Sequence, residues 1–145
     1  MSDKVEYKRS FEVKFDVDVF VAGGGPAGVA AGVTAARLGK SVFIAESSGS
    51  FGGAATTMLI PAFMQFTNGV DFLAGGIGRE VHDYLKDRCH PSFKPYCPNS
   101  IPVETLKLCY DEMVQDSGAG FMFHTSLIDV IANKGHIERS EEHTS

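Results

Sequence analysis

The feature that most constrains this 145-residue chain is the stretch VFVAGGGPAGVAAG at residues 19–32. Gly23, Gly25 and Gly28 form the pattern G-x-G-x-x-G directly after a β-branched and aromatic run of strand length. Pro26 suits the first turn of a helix, because its φ is fixed and it has no N–H. In this pattern the glycines allow a tight turn, close approach to a pyrophosphate and close helix–strand packing. The stretch therefore predicts a phosphate-binding turn at a helix N-terminus.

The residues that follow predict a βαβ unit. The helix runs to Leu38 and ends before Gly39, and SVFIAE at residues 41–46 reads as the next strand. Such a unit has parallel strands and a right-handed crossover. Glu46 ends the second strand, where a carboxylate accepts hydrogen bonds from both ribose hydroxyls of a dinucleotide and repels a 2′-phosphate.

NAD and FAD both satisfy these features, and the next loop distinguishes between them. Gly52 and Gly53, followed by AATT, look like the second glycine-rich loop of flavoproteins, near the ribityl chain and the isoalloxazine. Taken alone, the same residues are equally typical of a flexible loop. An NAD-dependent dehydrogenase would not need this second loop, and it is the nearest alternative enzyme.

The rest of the chain predicts a long insertion, then a helix and short strands. GIGREVHDYLKDR at 76–88 is helical in pattern, and 88–102 is a proline-rich loop. A second helix at 104–118 is followed by the strands GFMFHT and SLIDVIAN and a turn at 133–135. The apolar face of this second helix consists of Leu106, Cys109, Tyr110, Met113 and Val114. The region after the second strand is long for a plain nucleotide fold and predicts an insertion that covers the cofactor.

These segments, with FGGAATTMLIPAFM, GGIGREV and VETLKLCYDEMVQDSGAGFMFHTSLIDVI, resemble the N-terminal part of the FAD-dependent oxidoreductases. This family of flavoproteins has the glutathione-reductase-type fold and includes relatives of the flavin subunit of heterodisulfide reductase. The resemblance runs from about Asp16 to Glu138. It implies an α/β, Rossmann-like FAD-binding domain with a parallel sheet that starts as a βαβ unit, in an FAD-dependent oxidoreductase.

The resemblance also implies roles for individual residues. The pyrophosphate would be held by Gly23, Gly25, Pro26, Ala27 and Gly28. The adenosine ribose would bind Glu46, and Val130 would offer backbone to the adenine. The flavin side would be lined by Gly52, Gly53 and Thr56. No catalytic acid or base can be identified, and neither can the substrate, the electron partner or the oligomeric state.

The C-terminal side departs from the family pattern. Family members run to several hundred residues and carry a later Ala-Thr-Gly-Asp motif that closes the flavin site, and this motif does not occur here. The last seven residues, RSEEHTS, match the translation of AGATCGGAAGAGCACACGTCT, the start of a DNA-sequencing adapter. We therefore interpret 1–15 as a leader, 16–138 as a truncated, partial FAD-binding domain and 139–145 as not native. Such a fragment is expected to be marginally stable and to bind FAD weakly, so an inactive or binding-only module is the other alternative.

Composition and cysteine usage exclude several other classes. A net charge of −5 argues against nucleic-acid or anionic-membrane binding. The longest apolar run, at 54–66, is too short to span a bilayer, and the N-terminus has no secretory signal. Three cysteines without a C-x-x-C pair fit a reducing compartment, so we expect a cytoplasmic protein.

The histidines and cysteines do not predict a metal site. His82, Cys89, His90 and Cys97 fit neither the common zinc spacings nor an iron–sulfur run. Some members of the resembled family carry 4Fe-4S clusters, but this chain shows no ligand motif for one. Cys109 belongs to an apolar helix face and is expected in the core.

Overall fold

A computed structural model describes residues 10, 12–60, 62–63, 66–68, 70–88 and 100–144 of the chain. Within them, a three-stranded sheet with helices is followed by a two-stranded ribbon. The elements, in chain order, are β1 (Val19–Ala22), α1 (Pro26–Arg37), β2 (Val42–Ala45), α2 (Ala54–Thr57), α3 (Ile77–Asp87), α4 (Val103–Ser117), β3 (Gly120–Met122), β4 (Thr125–Asn133) and β5 (His136–Thr144).

The three-stranded sheet has the order β1-β2-β3, and both strand pairs are parallel. Val19 lies opposite Val42 in the first pair, and Phe43 lies opposite Gly120 in the second. Helix α1 connects β1 to β2 and packs on both. The predicted βαβ unit and the α/β fold class are confirmed.

The core lies between this sheet and the helices α1, α3 and α4. Because strand side chains alternate, Val42 and Ile44 face α1, whereas Phe43 stacks against Phe15 on the other face of the sheet. Val29 and Val33 of α1 are fully buried. The predicted apolar face of α4 is confirmed, with Leu106, Cys109, Tyr110, Met113 and Val114 all buried.

In the described part of the long region between β2 and α4, the chain forms the helices α2 and α3. The sequence pattern predicts only loop over SSGSFGGAATT, but its last four residues form the single helical turn α2. Helix α3 confirms the helix predicted there, and its Glu80 forms a bidentate ion pair with Arg37 of α1, at 2.8 and 2.9 Å. Both side chains are partly exposed, so this pair orients α3 more than it stabilises the fold.

The end of the sheet differs from the strand pattern GFMFHT. Strand β3 stops at Met122, because the chain turns at the next two residues and His124 has a φ of 53°. Strand β4 then pairs antiparallel with β5 across the turn at Lys134 and Gly135. Residues 139–144 belong to β5, and their interpretation as a translated adapter stays a prediction.

Candidate functional site

The first glycine-rich loop joins β1 to α1 at the carboxyl end of the parallel sheet. Gly23 has a φ of 115°, which side chains rarely adopt, and its N–H donates to the Ala45 carbonyl at 2.7 Å. A Cβ on Gly28 would overlap the carbonyl oxygen of Gly23. The first turn of α1 therefore lies so close to the loop that only glycine fits at position 28.

Gly25 faces open space instead. It is the N-cap of α1, and nothing lies within 4 Å of a Cβ built on it. By helix geometry, the N–H groups of Ala27 and Gly28 have no carbonyl partner four residues earlier within the helix, and Pro26 has no N–H. Open space beside the positive end of a helix dipole favours a bound anion at this point.

The side chain of Glu46 reaches from the end of β2 to this loop. The residue is only 6% exposed. Its Oε2 accepts the Gly24 N–H at 2.6 Å, and its Oε1 accepts the Ser48 N–H at 2.6 Å and the Ser47 hydroxyl at 3.3 Å. The ribose-binding carboxylate predicted from the sequence is thus held directly beside the predicted pyrophosphate loop.

These hydrogen bonds decide the charge of Glu46. Burial alone would raise the pKa of its carboxyl, but the hydrogen bonds from Ser48, Gly24 and Ser47 outweigh it, and the pKa lies below its ordinary value. The side chain is therefore a carboxylate at neutral pH. A carboxylate offers about four lone-pair positions. The hydrogen bonds from Gly24, Ser48 and Ser47 use three of these positions, so Oε2 can accept one ribose hydroxyl. A second ribose hydroxyl would have to replace the Ser47 hydroxyl on Oε1.

The lowered pKa of Glu46 predicts a pH dependence of stability. The deprotonated carboxylate stabilises the fold above its ordinary pKa of 4.5, and this contribution is lost as the pH falls through the lower folded-state pKa. We expect the free energy of unfolding to fall more steeply below pH 4.5 in the wild type than in Glu46→Gln. Urea unfolding of both proteins across this range measures the difference, and parallel pH profiles would contradict the assignment.

The second glycine-rich loop packs directly on the first. The Gly52 N–H donates to the Gly24 carbonyl at 2.9 Å, and a Cβ on Gly53 would lie 3.2 Å from the Cα of Gly25. The structure therefore brings together the two loops that the sequence analysis assigns to the two halves of one dinucleotide.

The two threonines of α2 differ in their surroundings. Thr56 is 3% exposed, and its hydroxyl donates to the Phe51 carbonyl at 2.7 Å. The Thr57 side chain is exposed, and its hydroxyl donates to the Gly53 carbonyl at 2.8 Å. Thr56 thus holds the loop together from inside. Its predicted place along the flavin stays a prediction.

Val130 is the predicted site residue that lies apart from the others. It is on β4 opposite Ser140, and its N–H donates to the Asp129 carboxylate at 2.7 Å. The β4 residue that bonds to Glu46 is Thr125, whose N–H donates to the Glu46 carbonyl at 2.9 Å. At a strand rise of about 3.3 Å per residue, Val130 is about 16 Å further along the ribbon. Its contact with adenine stays a prediction.

The corner between β3 and β4 is a part of the site that the sequence analysis missed. The His124 N–H donates to the Ser48 carbonyl at 3.1 Å, and the Glu46 N–H donates to the Met122 carbonyl at 2.9 Å. Thr125 is 3% exposed. Both of these hydrogen bonds are backbone-to-backbone bonds between segments far apart in the chain, so no local sequence pattern signals them.

The structure describes only part of the candidate metal ligands. His82 packs edge-on against Phe66 and Phe72, and its Nδ1 is 2.9 Å from the Asp83 carboxylate. Cys89, His90 and Cys97 lie outside the described residues. Among the described residues, no group of three or more histidines, cysteines and carboxylates could hold a metal ion. None of the helices in this part of the chain is long and apolar enough to cross a bilayer.

Comparison with known proteins gives one family and several similar structures. A family model described as FAD dependent oxidoreductase matches residues 18–144. No curated protein matches the chain. THI4 from Thermovibrio ammonificans is 23% identical, with a TM-score of 0.56 over 86% of this chain and 45% of that one.

Two further structures resemble the chain to a similar degree. A geranylgeranyl bacteriochlorophyll reductase-like protein from Thermoplasma acidophilum is 15% identical, with a TM-score of 0.56 over 87% of this chain and 34% of that one. The 3-ketosteroid-Δ4-(5α)-dehydrogenase from Rhodococcus jostii RHA1 is 16% identical, with a TM-score of 0.55 over 92% of this chain and 43% of that one. These likenesses concern the fold. The chain spans less than half the length of each of the three structures.

Proposed function

Because this chain belongs to the family of FAD-dependent oxidoreductases, we propose that it forms the FAD-binding part of such an enzyme. The pyrophosphate would lie at the first loop, on Gly23, Gly25, Pro26, Ala27 and Gly28. The adenosine ribose would bind Glu46. The flavin half would extend along Gly52, Gly53 and the adjoining turn α2.

One observation carries this proposal. Gly24 donates its N–H to the buried Glu46 carboxylate, and the next residue, Gly25, faces open space at the N-terminus of α1. An acceptor for a ribose hydroxyl and a helix N-terminus with free N–H donors for a pyrophosphate therefore lie side by side, in the order in which ribose and pyrophosphate occur in the ADP half of a dinucleotide. The residues present fit this half of FAD.

The chain's own residues would bind and orient the cofactor. The flavin, when bound, supplies the exchange of hydride or electrons with a substrate or partner, whose identity the chain leaves open. The Glu46 carboxylate would hold the ribose and repel a 2′-phosphate. A reducing, cytoplasmic location is part of the same proposal, since Cys109 is a free, buried thiol.

An NAD-binding dehydrogenase domain is the second candidate, because the first loop and Glu46 suit either dinucleotide. The hydrogen bond from Gly52 to Gly24 supports FAD, since it brings a second stretch of glycine backbone beside the first loop and a longer cofactor would use both. A binding-only module is the third, and it would bind FAD without supporting flavin reduction and turnover.

We expect FAD and ADP to shift the amide resonances of Gly25, Ala27, Gly28 and Ser48 in the ¹⁵N-labelled chain, whereas FMN does not, because it lacks the adenosine half. FAD alone should also shift Gly52 and Gly53. Its affinity should exceed that of NAD⁺ about tenfold or more, a difference of about 1.4 kcal/mol.

This titration also distinguishes the FAD-binding candidate from the NAD-binding one, and it remains informative if binding is weak. Tighter binding of NAD⁺ than of FAD would favour the dehydrogenase domain. Absence of shifts at the first glycine loop with both FAD and ADP would remove the basis of the proposal.

A further inference from the structure

The ring of Phe51 lies directly against the first glycine loop. Phe51 precedes the second glycine-rich loop and is fully buried. A Cβ on Gly24 would lie 2.5 Å from the Cδ1 and 2.9 Å from the Cε1 of this ring. The other sides of the ring pack against Phe121 and Phe123, at centroid distances of 5.2 and 4.8 Å. In such a close-packed environment the ring cannot move away from Gly24 without displacing its neighbours.

The peptide groups around Gly24 are held from several directions. The N–H of Gly24 donates to the Glu46 carboxylate, and its carbonyl accepts the N–H of Gly52. The Phe51 ring fills the space that a Gly24 side chain would take, and the backbone carbonyl of Phe51 accepts the buried Thr56 hydroxyl. The Phe51 ring therefore packs against Gly24, and the backbone N–H and carbonyl of Gly24 connect the two glycine loops with Glu46.

We propose that Phe51 is a positioning residue, whose ring holds the Gly24 peptide so that its N–H meets Oε2 of Glu46 and orients that carboxylate toward the nucleotide. The ring requires glycine at position 24, because any side chain there would overlap the ring. The link to a ribose rests on the proposed function. The orientation of Glu46 is a property of the chain without cofactor and can be measured without it.

A double-mutant cycle of Phe51→Leu and Gly24→Ala tests this inference. The first readout is the titration midpoint of the Glu46 carboxyl, measured by ¹³C NMR in the chain without cofactor. The second readout is the affinity for FAD. We expect Phe51→Leu to raise this midpoint, because the bond from Gly24 loosens, and to weaken FAD binding about tenfold, the lower range for a charged hydrogen bond.

Gly24→Ala should impair both readouts as well, since the new methyl group collides with the ring and also lies 3.1 Å from Oε2 of Glu46. In the double variant the smaller leucine leaves room for that methyl group. We therefore expect the double variant to lose less than the sum of the two single changes. If the loss in the double variant equals the sum of the losses in the two single variants, the Phe51 ring and Gly24 do not depend on each other and the inference is wrong.

Leu85→Ala is the control for general damage to the core, because Leu85 is 4% exposed on α3, which packs against α1 and α4. It should lower the free energy of unfolding and leave the Glu46 midpoint unchanged. If Phe51→Leu behaves in the same way, Phe51 is an ordinary core residue and the inference is wrong. The two proposals can fail separately. If the wild type does not bind FAD but Phe51→Leu raises the titration midpoint of Glu46, the proposed function is wrong and the positioning of Glu46 by Phe51 still holds.

Discussion

Gly28→Ala is expected to lower the free energy of unfolding by about 3 kcal/mol, the upper end of the usual cost of overpacking. The added Cβ would overlap the carbonyl oxygen of Gly23, a backbone atom in a loop tied to Ala45. Helix α1 cannot shift to relieve the overlap, because Val29 and Val33 are fully buried beneath it. Urea unfolding of both proteins, followed by circular dichroism, measures the loss.

Gly25→Ala is the matched control in the same loop. Its φ of −66° suits alanine, and nothing lies within 4 Å of the added Cβ. Its stability should stay within about 0.5 kcal/mol of the wild type. FAD binding should nevertheless weaken, since the methyl group fills the space proposed for the pyrophosphate. Equal stability losses in the two variants would show that this loop does not have the described geometry.

Glu46→Ala is expected to weaken FAD binding by about 1–3 kcal/mol, through loss of charge-assisted hydrogen bonds to the ribose. The fold should lose stability as well, because the N–H groups of Gly24 and Ser48 lose their acceptor. Isothermal titration calorimetry with FAD measures the affinity. Unfolding in urea identifies the conditions under which both proteins remain folded.

Two further variants separate the contributions of Glu46. Glu46→Gln keeps the volume and one oxygen acceptor, so it should lose less stability than Glu46→Ala while still losing the charge. Glu104→Ala removes an exposed glutamate that pairs only at the surface, with Lys107, and should leave FAD affinity unchanged. An unchanged affinity in Glu46→Ala would mean that the adenosine lies elsewhere.

The parts of the fold that could be predicted depend on local rules. The G-x-G-x-x-G spacing and Pro26 indicate a turn and a helix start within a few residues, and β1, α1 and β2 follow that prediction. The apolar face of α4 was predictable because helical periodicity alone places its buried residues on one side. The position of Glu46 at the end of the strand that pairs with β1 was also predictable, whereas its role in binding a ribose stays a prediction.

The parts that were missed depend on contacts between distant segments. Strand β3 ends early because the chain turns at His124 to reach Ser48 and Glu46, and no local pattern in GFMFHT indicates that turn. The helical turn α2 forms where Thr56 bonds to the Phe51 carbonyl, within a stretch whose composition predicts a loop.

The sequence by itself therefore determined the glycine-rich turn, the βαβ unit and the carboxylate at its end, since glycine spacing and hydrophobic periodicity act over short segments. Only the tertiary structure decided how that carboxylate is held. Glu46 bonds to Gly24, 22 residues earlier, and Phe51 supports that peptide from a third segment. Such bonds depend on how sheet and helices pack together, and no spacing rule within one segment contains that information.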